Sequence, residues 1–150
     1  MGLYMLLSQN VVKLFNNPVS SKTVATVDGE GNVYAAPFGS VRATPDGSQL
    51  LFTYLAATET PKRIEYMKKA DKMLVIVVQH TDQEKISFEG YCVWCKIGDI
   101  VTSGPLVEKV KAQLPKPVVD AFPPKAVVTL RPVKYKIQGT VPDMGKIVTL

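Results

Sequence analysis

The sequence predicts a mainly β protein with helices, an α+β chain whose strands, about six of them, close into a small antiparallel barrel. Three observations predict this. Short apolar segments, most of them alternating with period two, recur between residues 22 and 137. Most are joined by tight turns such as DGEGN and PDGS, the signature of antiparallel hairpins. A single helical pattern separates the third strand from the fourth. Barrel closure removes the sheet edges, and an open α+β sheet is the alternative arrangement.

The elements follow in order. Leu3, Leu7, Val11 and Leu14 recur at helical spacing, with Leu6 and Phe15, and predict an amphipathic helix over 3–16 that Asn16, Asn17 and Pro18 stop. KTVATVD (22–28) alternates as a strand, and VYAAPF returns as its hairpin partner, extended by GSVRAT. QLLFTY (49–54) is the third strand. In TETPKRIEYM, Thr60 is a good N-cap and Pro61 suits the first helical position, with Ile64 and Met67 on one face. MLVIVVQ (73–79) lacks alternation, which predicts burial on both faces. ISFEGYCVWCKI and DIVTS read as two strands around a turn at Gly98. LVEKVKAQL is a helix along which Leu106, Val110 and Leu114 line up. After two Pro-rich breaks, residues 126–137 form the last strand, and 140–150 are expected to be a partly ordered arm.

Length and composition bound the function. The 150 residues suit one domain, 1–150, without repeat, linker or low-complexity tract. The longest purely apolar run, Met73–Val78, is far too short to span a bilayer. MGLYMLLSQN has no basic n-region and no small-residue cleavage site. With two cysteines and no export signal, a reducing, cytoplasmic setting is expected. The net charge of +5 permits an anionic partner. Only three of the cations are arginines, Arg42, Arg63 and Arg131, so their positions carry more information than the lysine count.

Most motif-like features have plain structural readings. Cys92-x-x-Cys95 lies in a strand pattern, where the two side chains point to opposite faces, and it lacks a second ligand pair for zinc. His80, the one histidine, reads as a surface residue. Gly29-x-Gly31 belongs to a hairpin turn and lacks the third glycine and following helix of a dinucleotide fingerprint. Lys109, Lys111, Lys116 and Lys125 read as solvated surface, and the absence of interleaved aromatics over 104–121 makes nucleic acid an unfavoured partner.

The helix start at residue 60 is different. Cations in a first turn are locally unfavourable, because the helix dipole already places positive charge there. Thr58, Thr60, Lys62 and Arg63, with first-turn N–H groups lacking intrahelical partners, can make a phosphate-sized anion site; a helix cap with solvated cations, Lys62 and Arg63 pairing with Glu59, Glu65 or Tyr66, is the alternative reading. Arg42 and the pair Phe52-Thr53 end neighbouring strands and are expected near the same edge.

From SSKTVATVDGEGNVYAAPFGSVRATPDGSQLLFTYLAATETPKRIEYMKKADKMLVIVV to GYCVWCKIGDIVTSGP, the order of features resembles the pyridoxamine 5'-phosphate oxidase-like family of FMN-binding split barrels. The similarity covers roughly residues 20–137. It implies a six-stranded antiparallel split β-barrel, a homodimer with FMN at the subunit interface, and an oxidoreductase or electron carrier. Pro37, Phe38, Gly39, Ser40, Val41 and Arg42 would run along the isoalloxazine edge, with backbone groups of Phe38, Ser40 and Val41 reading its pyrimidine ring. Phe52 and Thr53 match the family's aromatic-Thr pair. Thr58, Thr60, Lys62 and Arg63 fall in its phosphate loop, and Phe122 resembles an aromatic that stacks near the flavin across the dimer. A deazaflavin is a less favoured substitute for FMN, and NAD(P)H or a redox protein is a possible electron partner. The C-terminal RPVKYKIQGTVPDMGKIVTL lacks the substrate-gripping Trp of true pyridoxamine phosphate oxidases, which argues against that reaction. The alternative class is a non-catalytic basic module for nucleic acid or another anionic partner, and a third is a barrel scaffold without cofactor.

Overall fold

The computed structural model describes residues 5–27, 30–55, 65, 69, 73–82 and 84–150, with the backbone alone at 54–55. Thr58, Thr60, Lys62 and Arg63, and with them the start of the expected phosphate-binding helix, lie outside the described residues. Glu65 and Lys69, the two residues of that segment which are described, are helical and exposed.

The first helix, α1 (Gln9–Asn16), is shorter than its apolar periodicity predicts. Ser8 caps it, its side chain accepting from the Val11 N–H. Met5 and Leu7 are buried but not helical, because the Leu7 N–H donates to the Gly47 carbonyl at 2.9 Å instead of to a helical turn. The helix buries Val11, Val12, Leu14 and Phe15.

Eight strands are present among the described residues, against the six expected: β1 (Ser21–Val27), β2 (Val33–Pro37), β3 (Arg42–Ala43), β4 (Leu50–Leu55), β5 (Met73–Asp82), β6 (Ser87–Val101), β7 (Pro124–Gly139) and β8 (Ile147–Val148). The sheet order is β2-β1-β5-β6-β7-β4-β3, every pairing is antiparallel, and β8 pairs with β7. Two short helices, α2 (Pro105–Gln113) and α3 (Lys116–Ala121), connect β6 to β7.

Three expectations are corrected. Gly98 does not turn the chain: β6 runs on to Val101, and the register shifts between Ile97 and Ile100 as a bulge. A Cβ at Gly98 would lie 2.4 Å from Thr129 Oγ1, which itself accepts from the Asp99 N–H at 2.7 Å. Glycine is used here for close approach. β5 does alternate: Met73, Val75 and Val77 are buried, while Leu74, Ile76 and Val78 are half-exposed on the other face. The tail is an ordered return, with Tyr135 opposite Val148 and Lys136 opposite Ile147.

One core joins both ends of the sheet. Val24 of β1, Ala43 of β3, Leu50 and Phe52 of β4, Val75 of β5, Val93 of β6 and Leu130 of β7 belong to the same buried cluster as Phe15. The sheet therefore curls around this cluster, and α1 packs on both β3 and β5 across the seam. Asn16 extends that seam: its Nδ2 donates to Ala43 O at 3.0 Å and its Oδ1 accepts from Ala43 N–H at 2.8 Å. A side chain thus makes the two hydrogen bonds that a neighbouring strand would make.

Candidate functional site

The chain leaves β2 at Pro37 and enters a tight turn that belongs to no ladder. Phe38 N–H donates to Lys22 O at 3.0 Å, and Val41 N–H donates to Phe38 O at 3.3 Å. Val41 points into the core, where no part of it is exposed, and the Phe38 ring tilts against Phe52 at 5.5 Å between centroids. Ser40 then fastens the turn to β4. Its hydroxyl accepts from Thr53 N–H at 3.1 Å and donates to Thr53 O at 3.2 Å. The Arg42 guanidinium closes the other side, with Nη1 donating to Gly39 O at 2.8 Å and to Val41 O at 2.7 Å.

These bonds decide which backbone groups are left for a ligand. The N–H groups of Phe38 and Val41 are engaged internally, whereas the N–H and C=O of Ser40 have no partner among the described residues. Gly39 is exposed, and a Cβ built on it would meet nothing within 4 Å. The turn therefore presents a rigid strip of backbone with open space before it.

The structure brings together Pro37, Phe38, Gly39, Ser40, Val41, Arg42, Phe52 and Thr53, as the order of strands in the sequence suggests. Within this group Phe52 is wholly buried, so its ring supports Phe38 from beneath. Phe122 stands apart as an exposed side chain at the end of α3. Two residues later Pro124 pairs with Leu55, so Phe122 shares the end of the sheet at which β4 finishes.

Lys22 is a residue that sequence reasoning missed. It shares strand parity with the buried Val24 and Thr26 and is itself only 3% exposed. Its Nζ donates to the Asn17 carbonyl at 3.0 Å, at the C-terminal end of α1, where a cation is favoured. Burial, then repulsion from Arg42, lowers its pKa from 10.5 to about 8. The Lys22 carbonyl also holds Phe38, so one residue ties α1, β1 and the turn together. Its position in the alternating pattern KTVAT was the available signal.

Other candidates behave as their surroundings dictate. Cys92 and Cys95 are free thiols, and burial pushes the Cys95 thiol up. His80 is exposed. No group of His, Cys, Asp or Glu among the described residues could hold a metal ion, and no helix among them is long and apolar enough to cross a membrane.

No protein-family model matches this chain, and no curated protein sequence does either. Solved structures do. An FMN-binding protein from Syntrophomonas wolfei subsp. wolfei superposes with a TM-score of 0.72 at 20% identity, over 87% of this chain and 85% of that one. A protein from Clostridium acetobutylicum related to general stress protein 26 of B. subtilis, of the pyridoxinephosphate oxidase family, gives 0.60 at 14% identity over 96% of each chain. An F420 reductase gives 0.62 at 18% identity, over 87% of this chain and 98% of that one. The fold is the split barrel of the FMN-binding, pyridoxamine 5'-phosphate oxidase-like proteins.

Proposed function

We propose that this split barrel binds FMN as a homodimer, with the flavin between the subunits, and works as an oxidoreductase or electron carrier. The observation that carries the reading is the Pro37–Arg42 turn, clamped to Thr53 through Ser40 and bordered by open space at Gly39. A flavin edge needs fixed N–H and C=O groups and room for a flat ring, and the Ser40 backbone at this turn supplies both. Ser40 and Arg42 hold the strip in place, and Phe38, backed by Phe52, gives it an apolar flank. Thr58, Thr60, Lys62 and Arg63 are assigned to the 5'-phosphate on the helix-start argument. Flavin, once bound, supplies the hydride or electron chemistry, and the protein supplies position and electrostatics.

The dimer is supported by the outer face of the sheet. Thr23, Ala25, Leu74, Ile76, Val78 and Trp94 stand on one side of β1, β5 and β6 and are all half-exposed. An apolar surface of this kind suits a second copy of the chain. Phe122, exposed in its own subunit, is placed against the flavin of the other. NAD(P)H or a redox protein is the proposed electron partner, and the chain is placed in the cytoplasm as a single domain.

Flavin absorbance of the purified protein, and FMN titration of the cofactor-free form, test the reading. Tight binding of FMN, weakened at least tenfold by Thr60→Ala with Lys62→Ala, is expected. Colourless protein that takes up neither FMN nor F420 would sink it.

A further inference from the structure

The helix α2 does not press its apolar line onto the sheet. Val107 is its one buried residue, while Leu106 and Val110 are half-exposed and front a cleft of about 380 Å³ against the β3–β4 hairpin. Leu51 of β4 forms its opposite wall. Arg42 and Lys109 both line it, and no carboxylate does. The volume lies in the range of small-molecule pockets, which are mostly apolar with a few placed polar groups.

We propose that this cleft is a binding site for a small apolar carboxylate, held beside the flavin as substrate. Its chemistry follows from the walls. Half-exposed Leu106, Val110 and Leu51 gain from covering by an apolar body. Arg42 is held by its own turn through Nη1, which leaves its remaining N–H donors fixed in place for an anion. Lys109 has no ion-pair partner among the described residues and adds a second cation. The position gives the role: Arg42, which lines the cleft, also donates to the Gly39 and Val41 carbonyls of the turn, so the cleft adjoins the strip assigned to the flavin. The substrate role rests on the flavin reading; the carboxylate site rests on the cleft alone.

Hexanoate, benzoate, their neutral amides and inorganic phosphate, titrated calorimetrically into the full chain with and without FMN, form the test. Both carboxylates should bind at least tenfold more tightly than their amides. The exposed Lys109→Glu should weaken them at least tenfold with FMN affinity unchanged, and Val110→Trp, which fills the cleft, should abolish them. Equal affinity for acid and amide, an unchanged Lys109→Glu, or phosphate binding as tightly as benzoate overturns the assignment. Normal FMN binding without carboxylate binding refutes the cleft and leaves the flavin reading intact. Lys109-dependent carboxylate binding by a protein that takes no FMN refutes the flavin reading and the substrate role, and leaves the carboxylate site.

Discussion

Single side chains stand in for backbone at several places among the described residues, Ser40 and Asn16 among them. Ser40 satisfies both backbone groups of Thr53, a residue only 3% exposed, so its hydroxyl replaces a strand partner. Removing it leaves a buried N–H and C=O unpaired, and Ser40→Ala should lower stability by about 1–3 kcal/mol in urea unfolding, with FMN affinity falling alongside. A loss under about 0.5 kcal/mol would show that water serves as well as the hydroxyl. Lys22 gives a pH dependence. Its folded pKa of about 8 lies below the ordinary 10.5, so between these values the unfolded chain holds more proton. Folded stability relative to Lys22→Met should therefore be lowest below pH 8 and climb as pH rises towards 10.5. Chemical denaturation of the two proteins across that window checks the sign, and a flat difference would mean that Lys22 stays solvated. Asp46 has the same slope at acid pH for the opposite reason, because its charged form is favoured in the fold. Hydrogen bonds from the Ser48 N–H, the Ser48 hydroxyl and the Thr44 hydroxyl lower its pKa to about 2, so its turn keeps this support until pH falls towards that value.

Among the elements, strands were legible where alternation and turn chemistry agreed. Strands β1 and β4 follow their sequence patterns within a residue or two, but β2 stops at Pro37: the GSVRAT segment expected to extend it turns instead and enters β3, which pairs with β4. Gly98 was misread because a glycine inside an apolar run marks either a turn or a bulge, and only the partner strand decides. Here Thr129 decides it. Gly98→Ala should destabilise the fold by more than about 1 kcal/mol, and Thr129→Ala should relieve part of that in the double variant. Strict additivity in urea unfolding would show that the 2.4 Å approach is not the cause. The α1 start was misjudged because Leu3 and Leu7 continue the helical period past the point where Ser8 caps the backbone. The tail was misjudged because a two-residue strand carries too short a pattern to read. In the candidate site, Arg42 begins β3 opposite Leu51 instead of ending a strand beside Phe52-Thr53, because the chain turns between Pro37 and Arg42. The Ser40 clamp was not legible, since a serine in a turn has many possible partners. Lys22 escaped because a lysine on a strand is ordinarily taken as a solvent-facing residue.

For the whole molecule, the curled sheet turns one face inward around Phe15 and the other outward. The outer apolar face of β1, β5 and β6 is the surface on which the proposed dimer depends. Ile76→Asp, a half-exposed position there, should convert the dimer to monomer in sedimentation equilibrium and reduce FMN affinity at least tenfold with it. A dimer that survives this change would move the interface elsewhere. Phe15→Ala, at the centre of the inner face, should cost about 3–5 kcal/mol and act on every element at once.

The contact between Asn16 and Ala43 also bears on how copies of this protein avoid one another. β3 ends the sheet, and the N–H and C=O of Ala43 are the pair that a foreign strand would seek there. Because Asn16 already occupies both, that border offers no template for amyloid-like stacking. Asn16→Ala should reopen it, so that the variant, held below its unfolding temperature, forms thioflavin-positive aggregates faster than the parent protein.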